Sequence, residues 1–222
     1  MTGLAPSAPT PSLWPAEGVF FARVDEDIVV LDVRTDAYAC LVDASSWLDL
    51  GEDAALLTTD ASAAAELVAA GLAVGSRPGT PRRPPTPARR CWNEAGAASL
   101  LDRARAAIAL TLSTPGFKRR AFPDLIAHAR TRGAPADAPD AAAVETALAA
   151  WRAVLPWIPG EGECLQRAWL LRVWLGANGI RADWIFGVRT WPFGAHCWLQ
   201  IGDAVVGDTL ERVGNYTPLM VV

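Results

Sequence analysis

Between Glu163 and Gly214 the chain carries a thiol, an imidazole and a carboxylate in an order that suits nucleophilic chemistry: Cys164, His196 and Asp208. Pro156, Pro159 and Gly160 to Gly162 end any earlier helix. An apolar run of helical period begins directly after the cysteine, through Leu165, Ala168, Trp169, Leu171 and Leu175, and stops at Asn178-Gly179. Cys164 is therefore expected in the first turn of a helix. A thiol there faces unpaired backbone N–H groups and the positive end of the helix dipole, which favour the thiolate, and the same N–H groups can receive an oxyanion.

A thiolate nucleophile needs a base within reach, and the base needs a partner that fixes its tautomer. Of the two histidines, His196 lies in an alternating run, Ala195 to Ile201, that reads as a strand. Gly202-Asp203 is a hairpin signal, so Ala204 to Gly207 reads as the returning arm with Asp208 just past its end. Imidazole and carboxylate should then meet at the open end of the hairpin. Each residue also has a structural reading: a buried cysteine is a small hydrophobe, a strand histidine is often a satisfied core residue, and Asp208 suits a turn. Cys197, adjacent to His196, points to the other strand face and reads as core. No cysteine pair is spaced C-x-x-C, so neither a zinc site nor a disulfide framework is indicated among residues 40, 91, 164 and 197.

The joint pattern resembles the transglutaminase-like cysteine peptidases that remove leader peptides in lasso-peptide biosynthesis, the B proteins of those pathways. The resemblance rests on C-L-Q-R-A at Cys164 to Ala168, A-H-C-W-L at Ala195 to Leu199 and V-V-G-D at Val205 to Asp208, within a region from Cys91 to Val222. It implies an α+β, papain-like peptidase fold. It also implies Cys164 as nucleophile, His196 as general acid and base, and Asp208 as the residue that orients it. The implied partners are a precursor peptide, held through its leader, and a separate asparagine-synthetase-like lasso cyclase, with ATP-dependent action alongside that cyclase. No G-x-x-x-x-G-K-[ST] occurs, so no nucleotide motif is present in this sequence. Two alternatives use the same residues differently: a transglutaminase or amidase that passes the thioester to another acceptor, and a non-catalytic peptide-binding chaperone indifferent to Cys164.

The 222 residues are 51% hydrophobic, ample for a core in one large domain or two small ones. Net charge −4 argues against nonspecific nucleic-acid binding. No window reaches the roughly 18 uncharged apolar residues of a membrane span, and the start M-T-G-L-A-P-S-A-P-T-P lacks signal-peptide character. A reducing cytoplasm is the expected location, since it keeps a catalytic thiol usable. Residues 1–16 are expected to be disordered. Ser76 to Arg90, rich in proline and arginine, reads as an extended linker.

The N-terminal unit, residues 17–75, reads as a small β-meander followed by helices. Its strands are Gly18 to Val24, Ile28 to Val33 and Ala37 to Leu41; Asp43 is expected to cap a helix to Leu48, and Asp60 a helix from Ala61 to Ala70 ended by Gly71. This pattern resembles the winged-helix-like recognition elements of PqqD type, which bind leader peptides of ribosomally made natural products. Such elements take the leader as an added strand on an exposed sheet edge. The edge is expected at Ala37 to Leu41, with Tyr38, Cys40 and Leu41 as leader-contacting candidates that serve equally as half-buried strand residues. DNA binding is disfavoured because Ala61 to Ala70 offers no Arg, Lys, Asn or Gln.

Ahead of Cys164, helices are expected over Ala97 to Leu112, with Leu100, Leu101, Ala104, Ile108 and Leu112 as its apolar stripe, over Phe122 to Arg130, and over Asp140 to Leu155. His128 is expected at the surface. After Gly179, Arg181 to Val188 reads as a strand ahead of the His196 and Asp208 strands, so helices precede an antiparallel sheet in an α+β unit. Six of the ten tryptophans fall near the candidate residues in sequence. Trp169 and Trp174 read as core, while Trp191 and Phe193 are candidates for an apolar wall beside the scissile bond. Arg167 is a candidate for pairing with an acid to hold the cysteine helix.

Overall fold

The computed structural model describes residues 13–79, 82–92, 96–130, 139–158 and 164–222. Pro159 to Glu163 and the first 12 residues lie outside them. The chain divides into two compact units between Arg83 and Pro84.

The first unit contains β1 (Trp14–Pro15), β2 (Val19–Val24), β3 (Asp27–Asp32), β4 (Ala37–Leu41), β5 (Leu48–Leu50), β6 (Leu56–Thr58), α1 (Ala61–Ala69) and β7 (Ala73–Val74). Strands β2, β3 and β4 form an antiparallel meander with β3 in the middle, so β4 is an edge among the described residues. Within the stretch expected to be disordered, residues 13–16 instead pack into the unit: β1 pairs with β7, and Leu13 joins a cluster with Ile28, Leu48, Leu56, Ala64 and Leu67. Burial of that leucine supplies the reason.

Asp43 does not cap a helix. It has left-handed backbone angles and makes no side-chain cap, and the expected helix shrinks to one 3₁₀ turn, Ala44–Ser46. Five residues nucleate a helix poorly, and Leu48 is instead taken into β5, paired with Thr58 and buried. Asp60 does cap α1, accepting from the N–H groups of Ser62 and Ala63 at 2.8 and 3.1 Å. The proline-rich stretch is tied at both ends. Arg82 donates to the carbonyls of Val19 and Ala16 and covers the Phe20 ring, while Arg89 and Arg90 donate backbone N–H bonds to the Asp203 carbonyl.

The second unit holds β8 (Arg90–Cys91), α2 (Leu100–Lys118), α3 (Phe122–Arg130), α4 (Ala141–Val154), α5 (Cys164–Ala177), β9 (Asp183–Arg189), β10 (Gly194–Ile201), β11 (Ala204–Val206), α6 (Leu210–Val213) and β12 (Thr217–Val221). Its sheet runs β12-β9-β10-β11-β8, antiparallel except for the parallel β11–β8 pair. Helices α2 and α4 pack on α5, and α5 packs on β10.

Helix α2 starts and ends later than its apolar pattern suggests. A reciprocal capping box between Ser99 and Asp102 sets the start, and the helix continues through Pro115 to Lys118. Its facing is also the reverse of the expected one. Ala106, Leu110 and Thr114 are buried, whereas Leu100, Leu101, Ile108 and Leu112 are exposed. The inward face is Ala106, Leu110 and Thr114, one residue about every turn, and it turns toward α4 and α5. Gly96 passes so near α4 that a Cβ would lie 2.6 Å from the Glu145 backbone.

Helix α5 is buried nearly all round, through Ala168, Trp169, Leu170, Leu171, Trp174 and Leu175. Trp174 Nε1 donates to the Ala147 carbonyl of α4 at 2.8 Å, and Arg172 donates to the Ala129 carbonyl at the end of α3 at 2.9 Å. His128 is half-buried, its ring 5.4 Å from Trp169, rather than a free surface residue. Among the described residues no helix is long and apolar enough to cross a membrane.

Gly207, which ends β11, has φ +71°, and a Cβ there would fall 2.4 Å from Leu171 Cδ2 of α5. Gly202 shares the left-handed angle, at φ +61°, but has nothing within 4 Å. Replacing Gly202 with alanine should cost only the backbone strain of about 1–2 kcal/mol. Gly207→Ala should cost that plus about 1 kcal/mol or more of overpacking. Denaturant midpoints of the two variants measure the difference, and equal losses would show that the contact with α5 is soft.

Candidate functional site

Strand alternation puts His196 and Cys197 on opposite faces of β10, and each face has its own neighbours. His196 shares its face with Trp198 and Tyr216, at ring distances of 5.9 and 5.2 Å. Gly187 lies opposite His196, and a Cβ there would come within 2.8 Å of the Trp198 ring, so the absent side chain makes room for this stack. Cys197 is paired in register with Phe186. Phe186 meets Trp184, and Trp184 meets Trp169 of α5, so Cys197 faces that helix.

The two faces communicate because β11 is short. Its last pair is Leu199 with Val206, so β10 from Gly194 to Trp198 has no strand partner on that side among the described residues. A cavity of about 180 Å³ lies in this gap, lined by Cys164, His196, Cys197 and Asp208, with Arg167 and Arg212 also on its wall. Cys164 opens α5 beside the gap. Gly207 turns the chain so that Asp208 enters it.

His196 Nε2 donates to Asp208 Oδ2 at 2.7 Å, with only 3% of the imidazole side chain and 14% of the carboxylate exposed. That leaves Nδ1 as the imidazole nitrogen for Cys164, with which His196 shares a hydrogen bond. Asp208 Oδ1 accepts from the Thr209 N–H at 2.8 Å. The turn that follows is held by Cys91, whose sulfur accepts from the Leu210 N–H at 3.1 Å. Thr209 Oγ1 then caps α6, accepting from the Arg212 N–H.

These contacts make an ion pair. The Cys197 thiol donates to Cys164; burial opposes the charge, but His196 and the Cys197 backbone N–H add to the stabilisation and bring Cys164 down to about 4. Burial works against the imidazolium, yet Asp208 and Cys164 together raise His196 above its ordinary value. For Asp208, burial is outweighed by His196, the Thr209 N–H and the Arg212 charge, and its carboxyl titrates below the usual range. Cys197 moves the other way, because burial and the neighbouring Cys164 charge keep it a thiol.

The three residues singled out for nucleophilic chemistry are thus brought together. The others lie elsewhere. Trp191 and Phe193 sit in the β9–β10 connection, 75% and 51% exposed, and do not line the cavity. Tyr38 and Leu41 are half-buried and Cys40 is exposed on β4 of the first unit. The reading of Cys197 as core is half of its role: it is 4% exposed, and it also touches Cys164. Gln166, in the first turn of α5, is buried, and its Nε2 finds no acceptor among the described residues. Sequence reasoning missed Cys91, Gly207, Arg212 and Tyr216. Of these only Gly207, directly before an acid at a strand end, carries a local signal.

Residues 104–221, more than half of the chain, match the family described as the transglutaminase-like superfamily. The chain belongs to that superfamily. Over 48 residues it is 35% identical to the microcin J25-processing protein McjB of Escherichia coli, a stretch that makes up 22% of this chain and 23% of the relative's length. No solved structure matches the chain.

A thiol with a depressed pKa is charged above it, so Cys164 reactivity should be present above about pH 4 and lost as pH falls through that value. An unperturbed thiol loses its reactivity near about 8.5. The rate of Cys164 alkylation by iodoacetamide against pH, read by peptide mass, measures this midpoint. Asp208→Asn should move it upward, since His196 is then charged less often beside the sulfur. A midpoint near that of a free thiol in the unaltered chain would remove the ion pair.

Proposed function

We propose that the chain is a cysteine peptidase that removes the leader from a ribosomally synthesised lasso-peptide precursor, with Cys164, His196 and Asp208 as its catalytic triad. The observation that carries this is the shared cavity: a thiol opening a helix, an imidazole in contact with it, and a carboxylate 2.7 Å from the far imidazole nitrogen. Membership of the transglutaminase-like superfamily and the likeness to a microcin-processing protein support it.

In this reading the Cys164 thiolate attacks the carbonyl carbon at the end of the leader. Its oxyanion forms beside the N-terminal amides of α5, whose dipole favours negative charge. The C–N bond breaks as His196 gives its proton to the leaving amine, freeing the core peptide and leaving the leader as a thioester on Cys164. His196, now neutral, takes a proton from water, and the resulting hydroxide attacks the thioester to release the leader acid. Asp208 holds the imidazole in one tautomer throughout.

The first unit would supply affinity as a leader-recognition element of PqqD type. Strand β4 is the outer strand of its sheet among the described residues, and Leu41 joins the cluster that includes Ala64 and Leu67 of α1. An extended leader could add there as a fourth strand, with Tyr38 and Cys40 at alternate positions along it. The core peptide would pass to a separate asparagine-synthetase-like cyclase, and ATP dependence belongs to that partner in this reading. A cytoplasmic setting suits the free thiols.

Mass spectrometry of a leader-bearing precursor incubated with the chain, with and without cyclase and ATP, tests the reading. The unaltered chain should cut once, at the leader–core boundary, and Cys164→Ala should not cut. Cleavage by both would sink the triad. Tyr38→Ala should raise KM by about tenfold with kcat unchanged if β4 binds the leader, and an unchanged KM would take Tyr38 out of recognition.

A further inference from the structure

The proposed mechanism leaves Cys197 unused, although it lines the same cavity as the nucleophile. Cys40 belongs to the other compact unit. Cys91 is exposed and bonded to the Leu210 N–H and the Asp208 carbonyl. Cys164 and Cys197 line one cavity, and the Cys197 thiol is the leading influence that holds Cys164 as the thiolate, with the Cys197 backbone N–H adding to it. They come from α5 and β10, two elements packed directly on each other, so the pair is held together by the core.

Their states are complementary. Cys164 is half-buried on the cavity wall and carries the charge, which makes its sulfur the oxidisable one. Cys197 is buried and kept as a neutral thiol, out of reach of a bulk oxidant. A thiolate that meets a peroxide attacks one oxygen; the O–O bond breaks, hydroxide leaves, and the sulfur becomes a sulfenic acid. Left alone, a second peroxide carries it to the sulfinic acid, which ordinary thiols do not reverse.

We propose that Cys164 and Cys197 are a site of reversible oxidation by peroxides, in which Cys197 traps the Cys164 sulfenic acid as a disulfide. The Cys197 sulfur attacks the Cys164 sulfur, the S–O bond breaks, and the thiol proton leaves with the hydroxide as water. The two electrons lost by the thiol pair are those gained by the peroxide. A dithiol reductant returns both thiols. The disulfide blocks the nucleophile and protects it from irreversible loss. The oxidation is read from mass alone, so it stands or falls apart from any cleavage of a precursor.

The full chain is treated with hydrogen peroxide, alkylated with iodoacetamide and digested, with and without prior dithiothreitol. The expected result is a linked peptide pair joining Cys164 to Cys197, two hydrogens lighter than the separate peptides, with Cys164 again alkylatable after dithiothreitol. In Cys197→Ser, Cys164 should instead gain two oxygens, and its recovery should fall by on the order of tenfold. Cys164 oxygenated without a link in the unaltered chain, Cys164 linked to Cys91, or equal recovery in Cys197→Ser would each overturn the proposal. The peptide map of the unaltered chain decides the matter even where the serine variant folds poorly.

Discussion

The seating of α5 on one face of β10 is the constraint on which the second unit depends. It is a broad apolar contact with little freedom, since α5 is enclosed by α2 and α4 behind and the sheet in front. The Trp174 bond to Ala147 and the Arg172 bond to Ala129 fix the helix along its length. With the helix body immobile, its first residue has one place to be. Cys164 is therefore positioned by core packing several turns away as much as by its immediate neighbours. Gly207 expresses the same constraint from the other side, because Leu171 fills the space its side chain would need.

Electrostatics then complete what packing begins. Four groups that would each carry an ordinary pKa in water are set against one another in a confined space: a thiol pulled down, its neighbour thiol pushed up, an imidazole raised and a carboxyl lowered. Burial alone would neutralise all of them, and the direct hydrogen bonds decide which stay charged. The aromatic stack of Trp198 and Tyr216 on His196 limits the directions in which the imidazole can tilt. Arg189 in turn covers the Tyr216 ring at 5.3 Å.

Much of this was legible from residue order. The helix opening at Cys164, the turn at Gly202-Asp203, His196 near the start of β10 and Asp208 just past β11 are local features with local signals, and the hairpin brings the last two toward one end. The facing of α2 was not legible, because a leucine stripe reads as an inward face. Which of two apolar faces turns inward is decided by the partner helices, which sequence period does not encode. Cys197 misled for a related reason: alternation correctly separates it from His196, but only the packed structure tells which face α5 covers. In the first unit, Asp43 has the right residue type for a helix cap, and the pull of Leu48 into a core pair overrode it.

The length of β11 has a wider meaning. Three residues pair with β10 and then stop, so Cys164, His196 and Asp208 occupy a notch left by a strand that ends early. Two more paired residues would fill the notch with backbone and continue the β10–β11 pairing past it. In this architecture the cavity exists because of where one short strand terminates.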